Sequence, residues 1–402
     1  MSDANKNLIS KSPVLSYGVL AFSIPIVLLF CVPIIFPALI QSITSEFSEF
    51  AFYTPQVDPF EIGALAVPFV IVNLSILLIG IIYYKKHLSL NRFFNFDVSN
   101  KIALTIVGVI LSIYIILTLT EFSIQEPFND FSKIEWIVME QGVENLQGFH
   151  HYVKLTLLTI SVNIFGDMRV IPFIGSIGLL VTTFFISKEI TQKRIPGIIA
   201  MILVLQSNIF LTYDTSATFS NFWILFYVLS LYLILKKWKL SHISFILSVF
   251  SKSLSGIFLP FTIFFVLNNT KGKKRMYILI FYIMLIIAGI FAVTSTNILF
   301  GASVYHPEKF ITGFTVFSYL LIHDHIILIF LLPLTVGLFL KSLNGFRQAN
   351  SIQILISGML LTTPLVVVFT AHTNEPYRLI PLVVFFAIGV ATLLGKIKQD
   401  ES

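Results

Sequence analysis

Apolar runs of about 20 residues recur along the whole 402-residue chain, and they constrain its fold more than any other feature. A helix of that length crosses the ~30 Å hydrocarbon core of a bilayer. A mean hydropathy of +0.91 with 56% hydrophobic residues excludes an ordinary soluble domain. The runs are continuous, so backbone hydrogen bonds must close within each helix. The sequence therefore predicts an all-α, polytopic integral membrane bundle.

Ten full spans and one re-entrant hairpin account for the apolar runs. The hairpin covers residues 240–269, where basic residues at both ends favour the cytoplasm. Its middle, Ser251–Gly256, leaves apolar pieces of about 11 and 15 residues, roughly 16 and 22 Å of helix, and neither piece spans a membrane. One long tilted helix, which would reverse every later loop, is the alternative. The predicted full spans are 17–40, 63–83, 102–120, 169–187, 196–213, 219–235, 276–293, 325–341, 352–370 and 378–395.

These spans divide the chain into three segments. Residues 1–120 hold three spans, and residues 121–168 form an outer loop with an acidic candidate site and an interfacial helix near 151–165. Residues 169–402 form the remaining bundle with its hairpin. The first apolar run is too long for a signal-peptide core and is predicted to be a retained anchor.

Charge sets the predicted orientation. With the N-terminus inside, cytoplasmic segments hold 20 of the 26 Lys and Arg residues, whereas outer segments hold 15 of the 20 acids. Both termini are therefore predicted to be cytoplasmic, in a multi-pass protein of the cell membrane. The net charge of +6 reflects inner loops facing anionic membrane lipids, and it gives no reason to expect nucleic acid. Cys31 is the only cysteine, so no intrachain disulfide forms.

The outer loop from Glu121 to Arg169 concentrates acids in a chain with only 11% charged residues. A general base, a divalent-cation site and a solvated rim all remain open for them. Asp130 and Glu135 are the leading candidates for a catalytic base, since they follow the third span and have aromatic neighbours. Glu121 is the next candidate, and Asp214, after the fifth span, is a predicted wall of the same cavity.

Cations on the outer face are few. Arg169 and Arg378 each open a span, and Lys252 marks the hairpin tip. A guanidinium near the interface suits bidentate phosphate binding, and snorkelling to the interface is the alternative. These three, with His150 and Asp214, are the predicted substrate-binding residues.

Histidines also gather on the outer face. The run His323–Asp324–His325, with His372 or with His150 and His151, offers metal ligands, but no zinc-type spacing such as HExxH occurs. We predict no cofactor, and a divalent cation stays the alternative. The sequence contains no nucleotide-binding motif, so an activated substrate is expected to arrive in the lipid.

From Asp130 onward the order of features resembles the C-type glycosyltransferases, membrane enzymes that use polyprenyl-phosphate sugars. It is most similar to the branch of protein O-mannosyltransferases and lipid A aminoarabinose transferases. The resemblance is collinear over residues 130–395, although this chain has two further spans before its acidic loop and no Asp-Glu dipeptide within that loop. It rests on Asp130, Gly142, His150–His151, FGDMRVIPFIGSIGLL (165–180), KEITQKRIPGIIAMILVL (188–205), YDTSATFSNFWILFYVLSLYLILKK (213–237), SFILSVFSKSLSGIFLPF (244–261) and YRLIPLVVFFAIGVATLL (377–394).

The resemblance implies transfer of a sugar from a polyprenyl-phosphate donor to a glycan, lipid or protein acceptor on the extracytoplasmic side. Asp130 or Glu135 would deprotonate the acceptor, and Arg378, with Lys252 or Arg169, would bind the donor phosphate. A secondary transporter and a non-catalytic membrane subunit are the rivals. Discontinuous helices also suit a transporter, but the two halves of this chain show no repeat. Sugar, acceptor and oligomeric state are not encoded in any recognisable pattern.

Overall fold

The computed structural model describes residues 12–38, 58, 60–86, 96–128, 130–146, 151–296, 309–369 and 376–395. All regular structure in these ranges is helical, which confirms the predicted all-α class. The α-helices are α1 (Ser12–Ile35), α2 (Ala66–Lys86), α3 (Asn100–Thr118), α4 (Phe131–Trp136), α5 (Tyr152–Phe165), α6 (Val170–Thr191), α7 (Ile195–Leu205), α8 (Asn208–Tyr213), α9 (Phe222–Lys236), α10 (Trp238–Ser251), α11 (Leu259–Asn269), α12 (Gly272–Thr296), α13 (Lys309–Leu320), α14 (His325–Leu343), α15 (Gln348–Phe369) and α16 (Ile380–Leu393).

Among the described residues, six helices are long and apolar enough to cross a membrane. Length and composition thus indicate an integral membrane protein. Each of the six overlaps a predicted span, and they cover Pro13–Ile35, Asn100–Ser123, Val170–Thr191, His325–Leu343, Gln348–Val368 and Pro376–Leu393.

Two predicted segments are interrupted. Within the predicted span 196–213, helix α7 ends at Leu205 and α8 begins after Ser207, whose hydroxyl accepts the Phe210 N–H at 3.2 Å as an N-cap. Within the predicted hairpin, α10 ends at Ser251 and Lys252 is extended. A 3-10 segment, Ser253–Phe258, then leads into α11.

Contacts within the chain group it into two compact units. Unit 1 contains the described residues of Met1–Asn95, Leu299–Leu393 and Ile397–Ser402, and unit 2 contains those of Phe96–Ile298 and Leu394–Lys396. The three sequence segments predicted above follow chain order instead and stay a prediction.

In unit 1, α1 packs against α13, α14 and α15, and α16 packs against α14 and α15. Helix α16 is almost wholly buried, from Ile380 to Thr392, which makes it the centre of this unit. The continuous apolar sequence of α16 suits that position, because it has no polar face to present elsewhere.

In unit 2, α9 packs against both α6 and α10, and α7 packs against α6. Glycine permits the closest of these approaches, since a Cβ at Gly197 of α7 would lie 2.7 Å from the Phe184 carbonyl oxygen of α6. The Asp97 side chain binds the start of α7. Its carboxylate pairs with the Arg194 guanidinium at 2.8 Å and accepts the Arg194 and Ile195 N–H groups at 2.9 and 3.2 Å.

Candidate functional site

A cavity of about 160 Å³ lies at one end of unit 2, beside the segment that follows α3. Most of its polar groups are carboxylates and hydroxyls, together with one guanidinium. Three separate stretches of chain form it, since the residues after α3 meet the start of α6 and the loop between α8 and α9. The lining residues are Glu121, Ile124, Gln125, Glu126, Pro127, Phe128, Arg169, Thr212, Thr215 and Ser216.

Glu126 joins two of these stretches. Its side chain is buried, and its carboxylate accepts hydrogen bonds from Ser216 Oγ at 2.7 Å, Ala217 N at 2.9 Å and Thr218 N at 3.0 Å. Hydrogen bonds to an ionised acceptor are stronger than neutral ones. Glu126 therefore holds the α8–α9 loop in place, and most of its acceptor capacity is used for that purpose.

Arg169 also lines the cavity, and most of its guanidinium hydrogens are already donated to the protein. Nη1 donates to the carbonyl oxygens of Ile124 at 2.7 Å and Glu121 at 3.3 Å, and Nη2 donates to that of Phe122 at 2.5 Å. The guanidinium also lies 3.5 Å from the Asp167 carboxylate and 5.3 Å from the Phe122 ring centroid. These oxygens belong to the 3-10 segment Leu119–Ser123, which follows α3, and to Ile124 directly after it, so Arg169 fixes the end of that segment. Only its Nε donor remains for the phosphate-binding role predicted from the sequence.

Glu121 differs from both neighbours. It lines the cavity and is half-buried, and its Oε2 accepts one hydrogen bond, from Thr215 Oγ1 at 3.3 Å. A carboxylate has about four acceptor positions, so most of those on Glu121 are left over. Of the charged side chains that line the cavity, Glu121 is the one with spare capacity to accept a proton.

Asp214 lies behind the cavity wall. Its neighbours Thr215 and Ser216 line the cavity, but Asp214 itself is 1% exposed. Oδ2 accepts the Tyr114 hydroxyl hydrogen at 2.5 Å, and within the described chain Oδ1 has no hydrogen-bond partner. Burial, and then the charge of Glu121, raise the pKa of Asp214 to about 7 although the Tyr114 hydrogen bond lowers it.

The polar contacts continue beyond Asp214 into the helices. Ser176 Oγ donates to the Asp214 carbonyl oxygen at 2.7 Å and accepts a hydrogen bond from Asn221 Nδ2 at 3.0 Å. Asn221 is fully buried, and its Oδ1 also lacks a partner among the described residues. The interior next to Asp214 thus contains acceptor oxygens without matching donors.

The leading sequence candidates, Asp130 and Glu135, do not line this cavity. Asp130 is exposed at the start of α4, and Glu135 is half-buried within α4. The apolar residues of α4 contact a small core that includes Leu158 of α5 and Phe222 of α9. The apolar residues beside Asp130 and Glu135 therefore hold α4 against this core, and they do not line the cavity.

The remaining predicted residues are not among those that line the cavity. Lys252 lies at the break after α10, with its Nζ 5.6 Å from the Trp223 ring centroid. Arg378 belongs to unit 1, in the 3-10 segment Pro376–Leu379. Its Nε and Nη1 are buried and have no hydrogen-bond partner in the described part of unit 1. His150 lies outside the described residues.

Metal ligands are not gathered in the part of the chain that the structure describes. No group of three or more His, Cys, Asp or Glu side chains there has the proximity needed to hold a metal ion. His323 and Asp324 lie in and after a 3-10 turn, and His325 begins α14. His372, like His150, is outside the described residues.

Sequence reasoning counted Glu126 among the acids of the loop but gave it no role, and it ranked Glu121 below Asp130 and Glu135. One local signal was present: the loop at 214–221 consists mainly of small polar residues between two apolar runs, and its main-chain N–H groups need an acceptor if the loop is buried. The acid that supplies it is 90 residues away in sequence and cannot be chosen from local pattern.

Comparison with protein-family models found no match to this chain, and comparisons with curated proteins and with solved structures found none either. No family is assigned.

Proposed function

We propose that the protein is a membrane glycosyltransferase that moves a sugar from a polyprenyl-phosphate donor to an acceptor hydroxyl on the extracytoplasmic side. Glu121 is its general base. One observation carries this proposal: Glu121 faces a polar cavity with most of its acceptor capacity unused, while Glu126 and Arg169 beside it are held by several hydrogen bonds each. A general base must reach the proton that it removes, and the fixed neighbours keep Glu121 in place to do so.

The reaction consumes no further reagent. The acceptor O–H gives its proton to the Glu121 carboxylate as the acceptor oxygen bonds to the anomeric carbon of the sugar. The bond from that carbon to the phosphate oxygen breaks, and its electron pair leaves with the polyprenyl phosphate. Inversion at the anomeric carbon is what the resemblance to C-type glycosyltransferases implies.

The cavity suits a hydroxyl group better than a phosphate. Its charged lining residues are Glu121, Glu126 and Arg169, which leaves one net negative charge, and Arg169 already donates most of its hydrogens to the protein. A volume of about 160 Å³ is also smaller than the ~300 Å³ at which drug-sized sites begin. We therefore assign it to the reacting hydroxyl and the ring that carries it.

Arg378 is the proposed ligand of the donor phosphate. The resemblance assigns it this role, and its Nε and Nη1 have no hydrogen-bond partner among the described residues of unit 1. Buried N–H groups of a charged guanidinium favour a strong acceptor, and a phosphate oxygen is one.

The proposed topology is ten spans with a re-entrant hairpin at 240–269 and both termini in the cytoplasm of the cell. The charge asymmetry described above supports the orientation. The break at Lys252 supports the hairpin, because α10 has 14 residues and α11 has 11, or about 21 and 16 Å of helix, each shorter than the ~30 Å core.

A transfer assay tests the function. The full-length protein in detergent is incubated with a panel of radiolabelled polyprenyl-phosphate sugars and membrane extract as acceptor. We expect Glu121→Gln to lower transfer about 100-fold or more, since general-base catalysis contributes 10²–10⁴ in rate. Glu140→Gln makes the same chemical change at an exposed acid of the outer loop and should leave transfer unchanged.

The variants Asp130→Asn and Glu135→Gln test whether the base is one of the two acids favoured by the sequence or the cavity residue Glu121. Loss of transfer in either, with full activity in Glu121→Gln, would transfer the role of base to α4 and refute our assignment. Arg378→Ala should weaken donor binding and raise KM. If no donor in a broad panel is consumed by the wild type, solute-flux assays for a transporter become the next experiment.

A further inference from the structure

Buried polar side chains in unit 1 lie along the interface between α1 and α15. The two helices pack against each other, and Asn350 Nδ2 donates to Ser16 Oγ at 3.2 Å across the interface. Each of these side chains is at most 2% exposed. The set comprises Ser16 and Ser23 of α1 and Asn350, Gln353 and Ser357 of α15.

These side chains share one face on each helix. Residues 350, 353 and 357 follow the i, i+3, i+7 spacing, and residues 16 and 23 are seven apart, so each set recurs along a single helix face. The contact between Ser16 and Asn350 places both faces at the α1–α15 interface.

The two helices run parallel. Ser16 meets Asn350 near the start of both. Farther along α1, the Phe30 ring lies 4.2 Å from the Phe314 ring of α13. The residue before Phe314 is Gly313, where a Cβ would lie 3.3 Å from Pro364 Cα of α15. Seven residues, or about 10.5 Å, beyond the Ser16–Asn350 contact, Ser23 therefore lies level with Ser357, and Gln353 lies between the two levels, about 4.5 Å beyond Asn350.

Four polar atoms in this interface have no hydrogen-bond partner among the described residues. They are Ser23 Oγ, Asn350 Oδ1, and both Nε2 and Oε1 of Gln353. Ser357, in contrast, donates to the Gln353 carbonyl oxygen of its own helix at 3.0 Å. A buried amide without partners is destabilising, and such groups in folded proteins are bonded to protein or to ordered water.

The chemistry of these atoms identifies the missing partner. Two carbonyl oxygens need donors, the Gln353 NH₂ needs acceptors, and the Ser23 hydroxyl serves as either. An anion would satisfy only the donors, and a cation only the acceptors. Water supplies both, and a buried water needs two to four polar partners, as this interface provides.

We propose that ordered water binds between α1 and α15 and is held by Ser23, Asn350 and Gln353. This hydration site belongs to unit 1 and is independent of the glycosyltransferase proposal. It makes the polar face of α15 a hydrogen-bonded contact with α1, so water becomes part of the packing of the two helices.

A double-mutant cycle on the full-length protein in detergent tests the site. Ser23→Ala and Gln353→Met each remove side-chain contacts to the same water and should each lower the melting temperature. The double variant should lose less than the sum of the two shifts, because the second change finds the water already gone. Ser318→Ala is the matched control. Its hydroxyl is buried and bonded to its own helix at 2.6 Å, so its effect should add to that of Gln353→Met.

A rise in melting temperature for Gln353→Met would mean that the amide sits in a dry interface, which would overturn the proposal. Additive effects of Ser23→Ala and Gln353→Met would also overturn it. A measurement on the wild type covers the case in which a variant does not fold. With ¹⁵N-glutamine labelling, the side-chain NH₂ signal of Gln353 should show magnetisation transfer from water. Absence of that transfer counts against the site.

Discussion

Replacing the buried acid Asp214 with asparagine should make the protein more stable at alkaline pH. The change is isosteric and leaves a neutral side chain at every pH. The new amide oxygen can accept the hydrogen bond that Tyr114 now donates to the carboxylate. The new amide nitrogen can supply a donor close to Asn221, whose Oδ1 has none in the described chain.

The magnitude follows from the pKa of the carboxyl. Burial and the charge of Glu121 raise the pKa of Asp214 from its ordinary 3.8 to about 7. In the folded state the carboxyl therefore keeps its proton at a pH where the unfolded chain has released it. Stability is then highest below pH ~4, falls as the pH rises towards 7, and is level above that. A rise of this size corresponds to about 4 kcal/mol lost across the interval.

Tryptophan fluorescence during heating measures this pH dependence of stability directly. Wild type and Asp214→Asn are unfolded in detergent at pH 5, 6, 7 and 8, and the difference between their melting temperatures is plotted against pH. Other titrating groups affect both proteins, so the difference isolates position 214. We expect the melting temperature of the variant, relative to that of the wild type, to increase as the pH rises and to be the higher of the two at pH 8.

Asp130→Asn is the matched control, because it makes the same change at an exposed acid. Its melting temperature should follow the wild type at every pH. A difference curve for Asp214→Asn that is flat, or that shows the variant losing stability as the pH rises, would refute the argument that burial keeps this carboxyl protonated.

Three further predictions concern stability. Glu126→Gln should lower stability by about 1.5–3 kcal/mol because three hydrogen bonds to a charged acceptor weaken, whereas Glu140→Gln should have no effect in the same thermal assay. Gly197→Ala should cost about 1–3 kcal/mol, since its Cβ would lie 2.7 Å from a carbonyl oxygen of α6, while Gly108→Ala, with open space around it, should be neutral or slightly stabilising. Burial alone would raise the pKa of Asp97, but hydrogen bonds from the start of α7 lower it overall. The stability that Asp97 contributes is thus present at neutral pH and lost in acid, so Asp97→Asn should cost about 1–3 kcal/mol at pH 7 and progressively less as the pH falls through the carboxyl range.

The long apolar helices were predictable because each is specified by its own residues. An uninterrupted apolar run of the length of α6 or α14 has one stable arrangement in a bilayer, and charge at its ends limits where it stops. The interruption at Ser207 left a weaker local trace, a Gln-Ser-Asn triplet with a capping serine, inside a run that is otherwise apolar. Average hydropathy conceals such a trace.

The candidate site was less predictable because it depends on distant contacts. Asp130 and Glu135 were favoured because they follow closely after the third span. The side of α4 that faces the other helices is decided, however, by apolar packing against Leu158 and Phe222. Glu126 is defined by a loop that begins 90 residues later. Spacing along the chain pointed to a stretch of acids and could not tell which of its members line the cavity.

The manner in which Arg169 is held has a consequence for how this protein can vary. Its hydrogen bonds after α3 are to main-chain oxygens of residues 121, 122 and 124, which every amino acid carries. Those bonds therefore do not depend on the side chains at these positions, although a substitution of Phe122 would also remove its ring contact with the guanidinium. Position 169 has no such freedom. A lysine there would present one compact ammonium in place of a planar fork, and it would not reach three carbonyls at once.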